Sequence, residues 1–158
     1  MNFPMVEFLQ AAAERIPNLA GIKFTSEDLM DLGQCICLDA GRFNILFGRD
    51  EMLLAGLATG AQGAIGTTFN FALPLYRRIM TACNAGDLAA AQASQAKSRE
   101  MIAILFRFGG LPAFKAVIKM IDADCGPVRL PLRNLPPEQY DALIDEFERI
   151  GFFEFRGK

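Results

Sequence analysis

Short apolar runs and longer periodic stretches alternate through the first half of the chain. Val6, Leu9, Ala13 and Ile16 recur at helical spacing after Pro4 and stop at Pro17, which predicts a first helix. Residues 19–25, LAGIKFT, form a strand-like run. Ser26 stands where a helix N-cap belongs, and Leu29, Met30, Leu32 and Ile36 supply the apolar positions of a second helix. A second apolar strand, FNILFG at 43–48, precedes a short helix in RDEMLLAGLATGA that Gly60 closes. A third strand-like run, GAIGTTFN, occupies residues 63–70. Strands that are apolar on both faces and alternate with helices define parallel β/α construction.

Beyond Asn70 the pattern is helical. A helix is predicted at about 72–84, a long one from Asp87 to Phe108 before Gly109 and Gly110, and a third from Pro112 with Ala116, Val117, Met120 and Ile121 on one side. The segment GPVRLPLRNLPP is a proline-stiffened connector, and a last helix runs from about Pro137 to Ile150.

Lys23 breaks the pattern, because an unpaired cation in a buried apolar strand costs several kcal/mol to desolvate. Side chains alternate along a strand, so Gly21, Lys23 and Thr25 share one face and Ala20, Ile22 and Phe24 the other. An amine beside a hydroxyl suits a small polar ligand, and it suits an ordinary strand end equally. In parallel β/α proteins ligands gather at the carboxyl ends of strands. Those ends carry Lys23 and Thr25, then Gly48, Asp50 and Glu51, then Thr67, Thr68 and Asn70. Asp50 and Glu51 also fit the first turn of a helix, where the macrodipole favours acids.

The 158 residues suffice for one domain, and they are 52% hydrophobic with a mean hydropathy of +0.23, high for a chain of this length. Net charge is −2, with acids and bases mixed along the chain, which disfavours nucleic acid as a partner. Neither a membrane-spanning run nor a secretory signal pattern is present, so the sequence predicts a soluble, cytoplasmic protein without a membrane partner. Cysteines at 35, 37, 83 and 125 lack metal-binding spacing and read as free, buried thiols. Histidine is absent, which removes Ser–His and Cys–His catalysis. No metal and no cofactor is called for, so any chemistry rests on lysine, tyrosine, carboxylates or hydroxyls.

GIKFT, LFGRDEMLLAGLATGAQGAIGTTFN and GPVRLPL, in this order, resemble the C-terminal half of the N-acetylneuraminate lyase family. That family lies within the pyruvate-dependent class I aldolases, alongside dihydrodipicolinate synthase. The resemblance covers essentially the whole chain. It implies the last three β/α units of a (β/α)8 TIM barrel, in residues 1–84, followed by a C-terminal helical extension in residues 85–158. It implies that Lys23 is the Schiff-base lysine, in an apolar strand that favours the uncharged, attacking amine. Substrate contacts are implied for Thr25, Gly48, Asp50, Glu51 and Thr67, with Asp50 and Glu51 of the Gly48-Arg49-Asp50-Glu51 motif meeting a hydroxylated sugar tail. Thr67 stands where the family commonly has serine, and Phe69 where it has tyrosine.

The implied substrates are sialic acid and pyruvate. The resemblance also implies that a G-[ST]-T-G-E loop for the pyruvyl carboxylate and a proton-transferring tyrosine lie before Met1. Tyr76 and Tyr140 fall in predicted helices and read as packing or surface residues. Three parallel strands leave two edges open, which predicts that the chain alone aggregates, self-associates as a homo-oligomer or needs a complementing N-terminal fragment, and is weakly active or inactive. The alternatives are a related pyruvate-dependent aldolase of the dihydrodipicolinate synthase kind and a non-catalytic half-barrel.

Overall fold

A computed structural model describes residues 3–157, and its Cα packing divides the chain into two compact units, Met1–Gly66 and Thr67–Lys158. The first unit holds helix α1 (Met5–Arg15), strand β1 (Gly21–Phe24), helix α2 (Leu29–Cys37), strand β2 (Asn44–Phe47), helix α3 (Leu53–Thr59) and strand β3 (Gly63–Ala64). The strands form one parallel sheet in the order β1-β2-β3, with Lys23 opposite Leu46 and Phe47 opposite Ala64.

Alternation along these strands separates two faces. Phe24, Ile45 and Phe47 are buried in one core with Leu9 of α1 and Leu32 and Cys35 of α2. Gly56 of α3 lets that helix close onto the ring of Phe47, because a Cβ there would collide with the ring. Gly21, Lys23, Leu46 and Gly48 occupy the opposite face, where Lys23 is exposed.

α1 has no side-chain cap of its own. Asp31 of α2 supplies one from a distance, its carboxylate accepting from Met5 N at 2.7 Å and Val6 N at 3.0 Å. Asp28, rather than Ser26, caps α2 by accepting from Asp31 N at 3.0 Å. Ser26 instead accepts from Asp28 N at 3.2 Å, so its hydroxyl shapes the loop that leads to the cap.

The third strand is two residues long, shorter than its apolar run predicts. Its ladder ends where Ile65 N donates to the Phe47 carbonyl at 2.9 Å, and the chain then turns into a helix at Phe69. The cysteines also depart from expectation. Cys35 is buried, Cys83 is half-buried, and Cys37 and Cys125 are exposed. Cys35 shares the core-facing stripe of α2 with Asp31 and Leu32, whereas Cys37 lies two residues further round the helix and faces away.

The second unit is helical: α4 (Phe69–Asn84), α5 (Leu88–Arg107), α6 (Leu111–Met120), α7 (Pro137–Arg149) and a short α8 (Phe152–Phe155) that the periodicity did not predict. Its aromatic core joins Phe71, Phe147 and Phe155 around Phe152. Tyr76 is buried and shares hydrogen bonds with Thr68 at 2.5 Å and Ser98 at 3.1 Å, in keeping with a packing role. Among the described residues no single helix is long and apolar enough to cross a membrane.

Two stability tests follow from the first unit. Asp31→Ala is expected to cost about 2 kcal/mol in urea denaturation, because two part-buried amides lose a charged acceptor, and Asp31→Asn to cost less. Burial, then the charge and hydrogen bond of Asp31, push the Cys35 thiol from 9.0 up to about 11. The folded thiol resists ionisation, so its stabilising effect is complete below pH 9 and is lost as pH rises from about 9 to 11. At pH 10 the loss is about 1.4 kcal/mol, and Cys35→Ala is expected to remove that part of the alkaline decline.

Candidate active site

The carboxyl end of β1 carries the amine and hydroxyl that the sequence singles out. Lys23 pairs in register with Leu46, so the next β2 residue on the same face is Gly48. The Gly48 amide donates to the Phe24 carbonyl at 2.8 Å, which continues the ladder and fixes this glycine against β1. A Cβ on Gly48 would overlap Thr25 Oγ1 and approach Lys23 Cε to 2.9 Å. The missing side chain is therefore what admits both Lys23 and Thr25 at this point.

A cavity of about 560 Å³ lies between the end of β1 and α2, lined in part by Lys23, Thr25, Ser26, Asp28, Asp31 and Gln34. Lys23 and Thr25 are both exposed. The apolar run around the lysine thus does not enclose it. Alternation puts its apolar neighbours Ile22 and Phe24 on the helix-covered face and turns the amine toward the open one.

Asp50 and Glu51 begin a 3-10 turn, Asp50–Met52, that leads from β2 into α3. Asp50 is 8% exposed, and its carboxylate occupies the space that a Cβ on Gly66 would take. Glu51 is held by Arg49, whose Nη1 lies 3.3 Å from Glu51 Oε1, while Nη2 pairs with Glu27 in the loop after β1. Arg49 Nε is buried without a hydrogen-bond partner among the described residues, at a cost of about 1–3 kcal/mol. Sequence pattern alone assigns no role to Arg49, Glu27 or Gly66. Gly66 was visible as a glycine just before the Thr67-Thr68 pair, whereas no local pattern announces a pairing between residues 27 and 49.

Thr67 opens the second unit, where it is exposed and its carbonyl accepts from Asn70 Nδ2 at 2.8 Å. The structure thus brings Lys23, Thr25 and Gly48 together in the first unit, with Asp50 and Glu51 on the turn that follows. A separate cavity of about 440 Å³ in the second unit is lined by Lys115, Lys119, Asp124 and Tyr140 among others. Its cations are engaged: Lys115 donates to the carbonyls of Cys125, Gly126 and Pro127, and Lys119 pairs with Asp124 at 3.7 Å. Among the described residues no group of three or more His, Cys, Asp or Glu side chains is arranged to hold a metal ion.

The parallel β/α sheet, with a lysine, a threonine and two carboxylates at its strand ends, is part of a partial (β/α)8 barrel. Residues 5–149 match the dihydrodipicolinate synthetase family, and the chain belongs to that family. It is 39% identical over 145 residues to an N-acetylneuraminate lyase of Xenopus tropicalis, covering 90% of this chain and 47% of that one. It is also 39% identical over 129 residues to an N-acetylneuraminate lyase of Rhizobium meliloti, covering 80% and 42%. The solved structure of the Proteus mirabilis N-acetylneuraminate lyase superposes with a TM-score of 0.91 at 38% identity, covering 96% of this chain and 51% of that one. The chain spans about half the length of the curated relatives it matches.

The glycines supply a direct test of this geometry. Gly48→Ala and Gly66→Ala are each expected to destabilise by about 1–3 kcal/mol, because the added methyl meets Thr25 and Lys23 in one case and the Asp50 carboxylate in the other. Gly33 lies inside α2, and a Cβ there would make only an ordinary 3.7 Å contact with Thr59. Gly33→Ala is expected to stabilise by about 0.5–1 kcal/mol in the same denaturation series.

Proposed function

We propose that the chain is the imine-forming part of a class I aldolase that cleaves N-acetylneuraminate to N-acetylmannosamine and pyruvate. The observation that carries the proposal is Lys23 at the open end of β1, against side-chainless Gly48. The identity to proteins named N-acetylneuraminate lyase favours this reaction over that of other pyruvate-dependent aldolases.

In the proposed reaction the uncharged Lys23 amine adds to the C2 ketone, and loss of water leaves an iminium. A base takes the proton of the C4 hydroxyl, whose oxygen becomes the aldehyde carbonyl as the C3–C4 bond breaks. The bonding electrons pass into the iminium and give an enamine. Protonation at C3 and hydrolysis then release pyruvate and return the lysine. Thr25 holds the substrate beside the imine, and Gly48 lets the ligand approach the backbone. Asp50 and Glu51 accept hydrogen bonds from the hydroxylated tail, and Thr67 contributes a hydroxyl to substrate on the resemblance alone.

Attack requires the uncharged amine, which removal from water favours. Lys23 is exposed, and one edge each of β1 and β3 is unpaired among the described residues. The proposal therefore includes association that covers this face, in a homo-oligomer or with a complementing N-terminal fragment. A cytoplasmic location belongs to the same reading, and the four free cysteines support it.

Borohydride reduction in the presence of pyruvate is the decisive experiment. A reduced pyruvyl group is expected on the peptide that contains Lys23, and Lys23→Arg is expected to bring the adduct to background. An adduct that persists in the arginine variant, or none in the unmutated chain once it is associated so that the Lys23 face is covered, refutes the assignment.

A further inference from the structure

We propose that Arg49 is a positioning residue that clamps the loop after β1 to the turn after β2 and so holds Glu51 where a hydroxylated substrate tail is read. The inference rests on the aldolase reading above and deepens it.

Arg49 lies between Gly48, which touches the lysine, and Asp50, which is buried. Its backbone is extended, at φ −110° and ψ 99°, so strand alternation turns its side chain away from the face that Gly48 shares with Lys23. It has no place beside the reacting carbon. Its head group instead joins two segments: Glu27 stands two residues beyond Thr25, and Glu51 follows the buried Asp50. Only a planar fork with several donors satisfies two carboxylates at once in a fixed geometry, which a lysine ammonium does not do.

The partners differ in a way that assigns their roles. The Glu27 side chain is 67% exposed and serves as a solvated anchor, whereas that of Glu51 is 28% exposed and more enclosed. Without the guanidinium, two carboxylates near the same point repel, and Glu51 regains rotamer freedom. A carboxylate that must be ordered afresh for each ligand binds hydroxyls more weakly than one held in place. Pyruvate has no hydroxylated tail, so the clamp acts selectively on the longer substrate.

Borohydride trapping at Lys23 tests this with pyruvate and with N-acetylneuraminate as the two probes. The measured quantity is the ratio of their half-saturating concentrations, N-acetylneuraminate over pyruvate. Arg49→Gln is expected to raise the ratio about tenfold, the size of one charge-assisted contact. Arg49→Lys keeps the charge without the fork and is expected to raise it by less. Should Arg49→Gln melt below the assay temperature, Arg49→Lys carries the same measurement. A ratio that neither variant moves overturns the clamp while leaving the aldolase reading intact. Absence of any Lys23 adduct with either probe in the unmutated chain, associated so that the Lys23 face is covered, overturns that reading, and the role of Arg49 with it.

Discussion

Burial of Phe24, Ile45 and Phe47 against the helices decides where everything else in the first unit goes. Each ring or branched side chain contributes on the order of 2 kcal/mol by leaving water, and strand alternation permits no independent choice for its neighbours. Once those three face α1, α2 and α3, Lys23 and Leu46 face the other way. The amine is thus aimed by residues that never touch it. A one-residue slip of β1 would bury the ammonium among aromatics, a penalty far larger than any single ladder hydrogen bond gains.

Close approach is the second constraint. Gly21, Gly48 and Gly66 each stand where a methyl group would collide with a neighbour: the Asn44 backbone, Thr25 with Lys23, and the Asp50 carboxylate. Two of these glycines border the candidate site. The missing side chains of Gly48 and Gly66 leave room for Thr25, Lys23 and Asp50 to pack at the strand ends. Asp31 plays the complementary role behind the sheet, where its carboxylate ties the first turn of α1 to α2 and keeps the helical cover in place.

The site itself divides between residues that would meet substrate and residues that hold them. Lys23 and Thr25 line a cavity together with residues of α2 and the loop before it. Arg49 pairs with both Glu27 and Glu51 and so joins the loop after β1 to the turn after β2. The face that carries Lys23 is open in the described residues, and the proposed imine chemistry would need an associating chain to remove water from it.

Local periodicity alone determined a good deal here. Apolar spacing located α1, α2, α5 and α7, the β1 and β2 runs were visible as strands, and alternation placed Lys23 and Thr25 on one face, because these patterns act over a few residues and carry their own physics. The motif around Gly48 pointed to the same strand ends, and the family match bears out the resemblance. Tertiary structure decided the rest. It cut β3 to two residues, moved the α2 cap from Ser26 to Asp28, and exposed Cys37 and Cys125. It also set Asp31 on α1 across 26 residues and Arg49 on Glu27 across 22. Those outcomes depend on which distant groups arrive at the same point, and hydrogen bonds and ion pairs between remote segments leave no period in the chain to read.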